Sequence, residues 1–176
     1  MQHKSWVKRN PFISLLFVSI LIFAGCSSDS EEDLRPEVDP ETITIWTGAP
    51  LTFTKTDNAD PTQESNQDRI TDNVWLTRGN SGGQIFNAAV ESSSAKNSSP
   101  EGTLWALGTT DEIENLTFST FREVVRTQSN RILDNLDTDF VLHLVEDDIY
   151  LDIRFTSWTS GKTNGGGFTY VRSTEN

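Results

Sequence analysis

Ile149-Tyr150-Leu151-Asp152-Ile153-Arg154-Phe155-Thr156-Ser157-Trp158 is the stretch whose pattern decides the fold. Successive side chains of a strand point to opposite faces. Ile149, Leu151, Ile153 and Phe155 therefore share one face, and Tyr150, Asp152, Arg154, Thr156 and Trp158 the other. This predicts a strand with its aliphatic face in the core. Asp147-Asp148 precedes it as a tight turn, and Phe140 to Glu146 before that is a second strand, so the pair forms a hairpin.

Working outward, further strand signals occur at Ile43 to Thr47, Leu51 to Thr56, Ile70 to Arg78, Gln84 to Val90 and Thr103 to Leu107. A last strand, Gly167 to Arg172, follows the Gly-rich loop at 160–166. One helix interrupts them: Thr120-Phe121-Arg122-Glu123 has the spacing of a capping box, and Phe121, Val124 and Val125 form an apolar stripe. Ile132, Leu133 and Leu136 either continue that helix or make a second short turn. Many short strands with Gly and Asn turns predict an all-β domain over 42–176, an antiparallel β-sandwich of jelly-roll type with one short helical insertion near 120–136. The helix is expected to close an open end of the sandwich.

The same alternation sets Trp75 with Thr71, Asn73 and Thr77, opposite Ile70, Val74 and Leu76, and sets Trp46 with Thr42 and Thr44. Trp158 falls with Tyr150, Asp152 and Arg154. Aromatic rings edged by hydroxyls and an Arg–Asp couple suit sugars, since a ring stacks on the C–H face while polar groups take the hydroxyls. The alternative is plain packing, with the 160–166 loop covering Trp158 and Asp152–Arg154 a solvated pair.

Asn66 to Trp75 with Thr77-Arg78-Gly79, Trp105 to Thr110, Asp147 to Trp158 and Gly165 to Tyr170 together resemble an uncharacterised domain of secreted and surface proteins from Bacteroidota and other aquatic bacteria. The resemblance implies a β-rich extracellular module and no activity.

The N-terminus carries an address. Lys4, Lys8 and Arg9 precede an apolar run from Phe12 to Phe23, and Ala24-Gly25 leads into Cys26, the one cysteine. The run is shorter than the ~20 residues a membrane-spanning helix needs and fits a signal-peptide core. Residues 1–25 therefore read as a lipoprotein signal peptide that resembles those cut before a lipidated cysteine, here Cys26; the alternative is a plain anchor. Residues 26–41, with Ser27 to Asp33, Pro36 and Pro40, hold too little apolar surface to fold and form an acidic tether. An acidic run this close to the lipid resembles the surface-export signal of Bacteroidota lipoproteins, which implies an outer-membrane location facing the exterior. A periplasm-facing spacer is the other reading. Acyl chains would hold the protein to the membrane at ~0.8 kcal/mol per buried methylene.

The chain has 26 acidic against 14 basic residues and a formal net charge of −12, and loss of the leader would take it to −15. That charge repels phosphate backbones and speaks against nucleic-acid partners. With Cys26 lipidated and His143 the one mature histidine, neither a Cys/His zinc site nor a Cys–His nucleophile can be assembled. No cofactor is expected; a structural calcium would use Asp57, Asp60 or the Asp147-Asp148 turn. Asp57 to Asp68 lacks the oxygen ligand and Gly of a helix-loop-helix calcium site, having Ala59 and Thr62 in their places. Gly79-Asn80-Ser81-Gly82-Gly83 looks like a protease serine motif, but too few residues precede it, and it reads as a hairpin turn.

The expected function is a non-catalytic surface binding module, glycan-binding in its most specific form, with Tyr150, Asp152, Arg154 and Trp158 as ligand residues beside the Gly-rich loop. The alternative is a structural or adhesive protein contacting other surface proteins or matrix. An enzyme using Glu146 and Asp152 as paired carboxylates is the third and least favoured reading.

Overall fold

The structure, a computed structural model, describes residues 43–129 and 131–176. The expected signal peptide, Cys26 and the expected tether lie outside the described residues. Nine strands appear in chain order: β1 (Thr44–Trp46), β2 (Gly48–Lys55), β3 (Asp68–Arg69), β4 (Trp75–Arg78), β5 (Ile85–Asn87), β6 (Thr103–Leu107), β7 (Asp139–Leu144), β8 (Ile149–Trp158) and β9 (Phe168–Thr174). Among the described residues the one α-helix is α1 (Phe121–Gln128), and short 3-10 turns occupy Glu64–Asn66, Thr110–Asn115 and Ile132–Asn135.

The strands form two sheets. A six-stranded sheet runs β2-β9-β8-β7-β6 with β1 beside β8, and β3-β4-β5 form the second. All pairs are antiparallel except β1–β8, which is parallel and in which Trp46 lies opposite Leu151. The domain is thus all-β, as the alternating pattern requires: two sheets bury one apolar layer between them. Leu142, Leu144, Leu151, Ile153, Phe155, Phe168 and Tyr170 of the large sheet meet Leu76 and Ile85 of the small one. Phe121, Val124 and Val125 of α1 and Ile132 complete the same core. Phe121 packs edge-on against Trp105, ring centroids 4.8 Å apart.

Helix α1 starts where the capping box places it. Thr120 Oγ1 accepts from the Glu123 N–H, and the Glu123 carboxylate accepts from the Thr120 N–H. It stops at Gln128, and Ile132–Asn135 is a separate 3-10 turn.

Three expectations about strands need correcting. Ile70 to Arg78 is not one strand: Thr71-Asp72-Asn73 turns back, the Ile70 N–H donates to the Val74 carbonyl, and β3 and β4 pair as a hairpin. Gln84 to Val90 is shortened to Ile85–Asn87, because the chain turns at Asn87, whose carbonyl accepts from Val90 and Glu91. The hairpin strand ends at Leu144, leaving Val145 to Asp148 as the turn.

The two sheets are tied by a buried ion pair. Asp68 of β3 accepts from Arg172 Nε at 2.7 Å and Nη2 at 2.9 Å, and from the Tyr170 hydroxyl at 2.6 Å. Both charged residues are about 6 % exposed. Among the described residues no helix is long and apolar enough to cross a membrane.

Candidate ligand pocket at the end of the sandwich

Tyr150, Asp152, Arg154 and Trp158 do not share a face. Phe155 pairs with Tyr170 and Ser157 with Thr169, so β8 advances two residues while β9 advances one, and Thr156 is the extra residue of a bulge. A one-residue slip turns every later side chain to the other face. Trp158 therefore joins Phe155 on the inner side, with its ring 5.8 Å from Phe155 and 5.9 Å from Phe168. Trp46 is also on the inner side, because its register with Leu151 directs it toward the core. Of the three tryptophans expected on polar faces, Trp75 alone is there, with Arg69 over its ring at 4.2 Å.

On the outer face of the large sheet, Tyr150 stacks on His143 with centroids 4.0 Å apart, and Phe118 meets Tyr150 edge-on at 5.5 Å. Asp152 and Arg154 lie in the wall of a shallow groove of about 580 Å³ bordered by Gly48, Pro50 and Asp111. They are not a couple. Asp152 accepts from the Thr110 N–H at 2.7 Å and the Thr110 hydroxyl at 3.1 Å, which fastens the 3-10 turn to the sheet. Arg154 Nε donates to Asp139 at 2.7 Å across the strands. These side chains are occupied in holding the fold.

The acids considered for calcium are likewise engaged. Asp147 accepts from the Thr71 hydroxyl at 2.7 Å and the Asn73 amide at 2.8 Å, pinning the β3–β4 turn. Asp57 accepts from the Gly167 N–H at 2.7 Å, and Asp60 from the Thr62 N–H at 2.9 Å. Asp148 lies 3.2 Å from His143. Among the described residues no group of three or more His, Cys, Asp or Glu side chains converges on one point. Ser81 sits in the exposed turn after β4, and no hydrogen bond joins it to His143. Glu146 is exposed in the β7–β8 turn, while Asp152 is bound to Thr110.

Trp158 and the Gly-rich loop do meet, at a pocket of about 390 Å³ at one end of the sandwich. Four separate segments build it. The end of β4 brings Arg78 and the following turn Gly83 and Gln84; the 91–102 loop brings Lys96 and Asn97. Helix α1 and the 3-10 turn supply Arg122, Arg126 and Arg131, and β8 with its loop supplies Trp158, Ser160 and Gly161. Arg122 and Arg126 are four apart and so project from one helix face. The loop is held against the β4–β5 turn: a Cβ on Gly166, at φ +65°, would stand 2.1 Å from the Gly79 carbonyl oxygen. Only glycine allows that approach.

Arg78 is 2 % exposed and sits over Trp158, its Cζ 3.8 Å from the ring centroid. Its Nε donates to the Gly83 carbonyl at 3.0 Å, and its Nη1 to those of Thr159 and Gly167 at 2.9 and 3.1 Å. Burial pushes its pKa down to about 10, with nearby Asp57 opposing, so it stays cationic at neutral pH. Arg126 donates to the Asn97 side chain at 2.8 Å, and Arg131 pairs with Asp134 at 3.1 Å. The Gln84 Oε1 atom is buried without a donor.

Trp158 and the loop belong to the site expected from the sequence, though Trp158 on the other face; Arg78, Gln84, Lys96, Arg122, Arg126 and Arg131 do not. The visible signals were an Arg continuing the inward alternation of Val74 and Leu76, and the Arg122/Arg126 spacing. Compared with protein-family models, with curated proteins and with solved structures, the chain matches none.

Proposed function

We propose that this chain is a lipid-anchored, non-catalytic binding module of the outer membrane, facing the exterior, that holds a saccharide in the pocket around Trp158. The observation that carries this is convergence: an aromatic edge, a Gly-rich loop and side chains with unused hydrogen-bonding capacity, Gln84 among them, meet at one end of a rigid sandwich. Binding sites favour loops set on such scaffolds. The lining holds no carboxylate, histidine or cysteine to serve as acid, base or nucleophile. The anchor rests on the leader pattern that ends at Cys26.

Retention of the intact protein on an array of immobilised polysaccharides tests the reading. At least one should retain it, and Gln84→Leu should weaken that retention without lowering the melting temperature. Retention on none, or retention indifferent to the pocket, overturns it. Mass spectrometry of the mature N-terminus should find a diacyl or triacyl group on Cys26.

A further inference from the structure

The pocket contradicts the charge of the chain that forms it. In a protein of net charge −12, five of 14 basic residues line this one cavity, and no Asp or Glu lines it. Arg78 is the sharpest case. A cation withdrawn from water is unfavourable unless paired, yet among the described residues Arg78 makes no ion pair. Its hydrogen bonds to described residues all go to neutral backbone carbonyls. Arg172 of the same core, by contrast, holds the Asp68 carboxylate with two nitrogens.

The neighbours of Arg78 add to this. Lys96 is exposed at the rim with no hydrogen bond or ion pair among the described residues, and Arg126 is held by the Asn97 amide rather than by an acid. Gln84 contributes the opposite need. Its buried Oε1 has no donor, and an amide can turn to present either atom to a hydroxyl. Arg78 covers part of the Trp158 ring, so that ring serves the ligand as an apolar wall and not as an open stacking platform.

Resting on the saccharide reading above, we infer that the ligand is an acidic sugar: a hydroxyl-bearing ring whose carboxylate or sulfate group is taken by Arg78, Lys96 and Arg126. The anion supplies the direct ion-pair partner that Arg78 lacks, Asp57 being near but not paired with it, and a ring hydroxyl supplies the donor that Gln84 lacks. Guanidinium groups bind carboxylate and sulfate alike through paired N–H donors. The volume of about 390 Å³ admits a short segment, roughly one or two rings, at the small end of ligand pockets. Asp134 pairs with Arg131 and Asp57 lies near Arg78, and with the net charge of −12 these acids disfavour long polyanions more than a single charged terminus.

Calorimetric titration of the intact protein tests this with galacturonate oligosaccharides, their methyl esters of equal length, and sulfated and unsulfated galactan oligosaccharides. The esters keep the ring and hydroxyls and lose the charge. At least one acidic oligosaccharide should bind, and its neutral counterpart should bind tenfold or more weakly. Galacturonate against sulfated galactan then tells which anion is preferred. Lys96→Gln with Arg126→Gln, both at exposed positions, should remove most of that preference and leave the melting temperature unchanged. Equal binding of acid and ester, reduced by Gln84→Leu, overturns the acidic-sugar inference while the saccharide pocket stands. Binding of no oligosaccharide, or binding that ignores every pocket variant, overturns both.

Discussion

Arg172 grips Asp68 with two guanidinium nitrogens, at 2.7 and 2.9 Å, where the two sheets face each other. Tyr170 adds its hydroxyl to the same carboxylate, and burial together with that negative neighbour raises the phenol well above its ordinary pKa. This polar clasp sits beside the apolar core and sets how β3 lies across β9. Removing one partner of such a pair strands a buried charge. Asp68→Ala should therefore cost about 3–5 kcal/mol in urea denaturation, while Asp68→Leu with Arg172→Met should recover most of it. A single-variant loss below about 1 kcal/mol would show that water reaches the pair.

The Thr156 bulge makes a second prediction. Because Trp158 packs on Phe155 and Phe168, Trp158→Ala should cost about 3 kcal/mol, at the low end for a large core deletion. Trp75→Ala, on the outer side under Arg69, should cost clearly less. Chemical denaturation of the two variants checks the order, and a reversed order would place Trp158 outside.

Much of the fold was legible because period-two alternation survives along β8 from Ile149 to Phe155, and the strand's bounds Ile149–Trp158 coincide with the expected ones. The capping box at Thr120 and Glu123 was equally local. What failed was non-local. Nothing in β1 itself reveals that it pairs in parallel with β8 and so turns Trp46 inward, and an unpunctuated run hides a bulge whose cause is the partner strand. The same holds for the site. Trp158 and the Gly-rich loop adjoin in sequence and were found together, but the cations come from segments that meet only in the fold.

Acid should loosen helix α1 and the turn that follows it. Hydrogen bonds from the Ser119 and Thr120 side chains hold Glu123 below its ordinary value of 4.5. Ser129 and then Arg131 likewise lower Asp134 below 3.8. A carboxylate depressed in the folded state contributes stability above its unfolded pKa and loses it as pH falls through the folded one. Melting temperature should accordingly be flat with respect to these groups near neutrality and decline below about pH 4.5. Glu123→Gln should lower stability at pH 7 and make the acid decline shallower; an unchanged decline would assign acid sensitivity elsewhere.

Residue-resolved NMR titration with an acidic oligosaccharide tests the placement of the site most directly, because the pocket and the outer groove lie on opposite sides of the large sheet. The Trp158 indole N–H, the Gln84 amide and the backbone of Asn97, Arg126 and Gly161 should shift together and saturably, with Tyr150, Asp152 and Arg154 unmoved. Shifts gathered instead on Tyr150, Arg154 and Ser173 would contradict a ligand site at Trp158 and return it to the outer face.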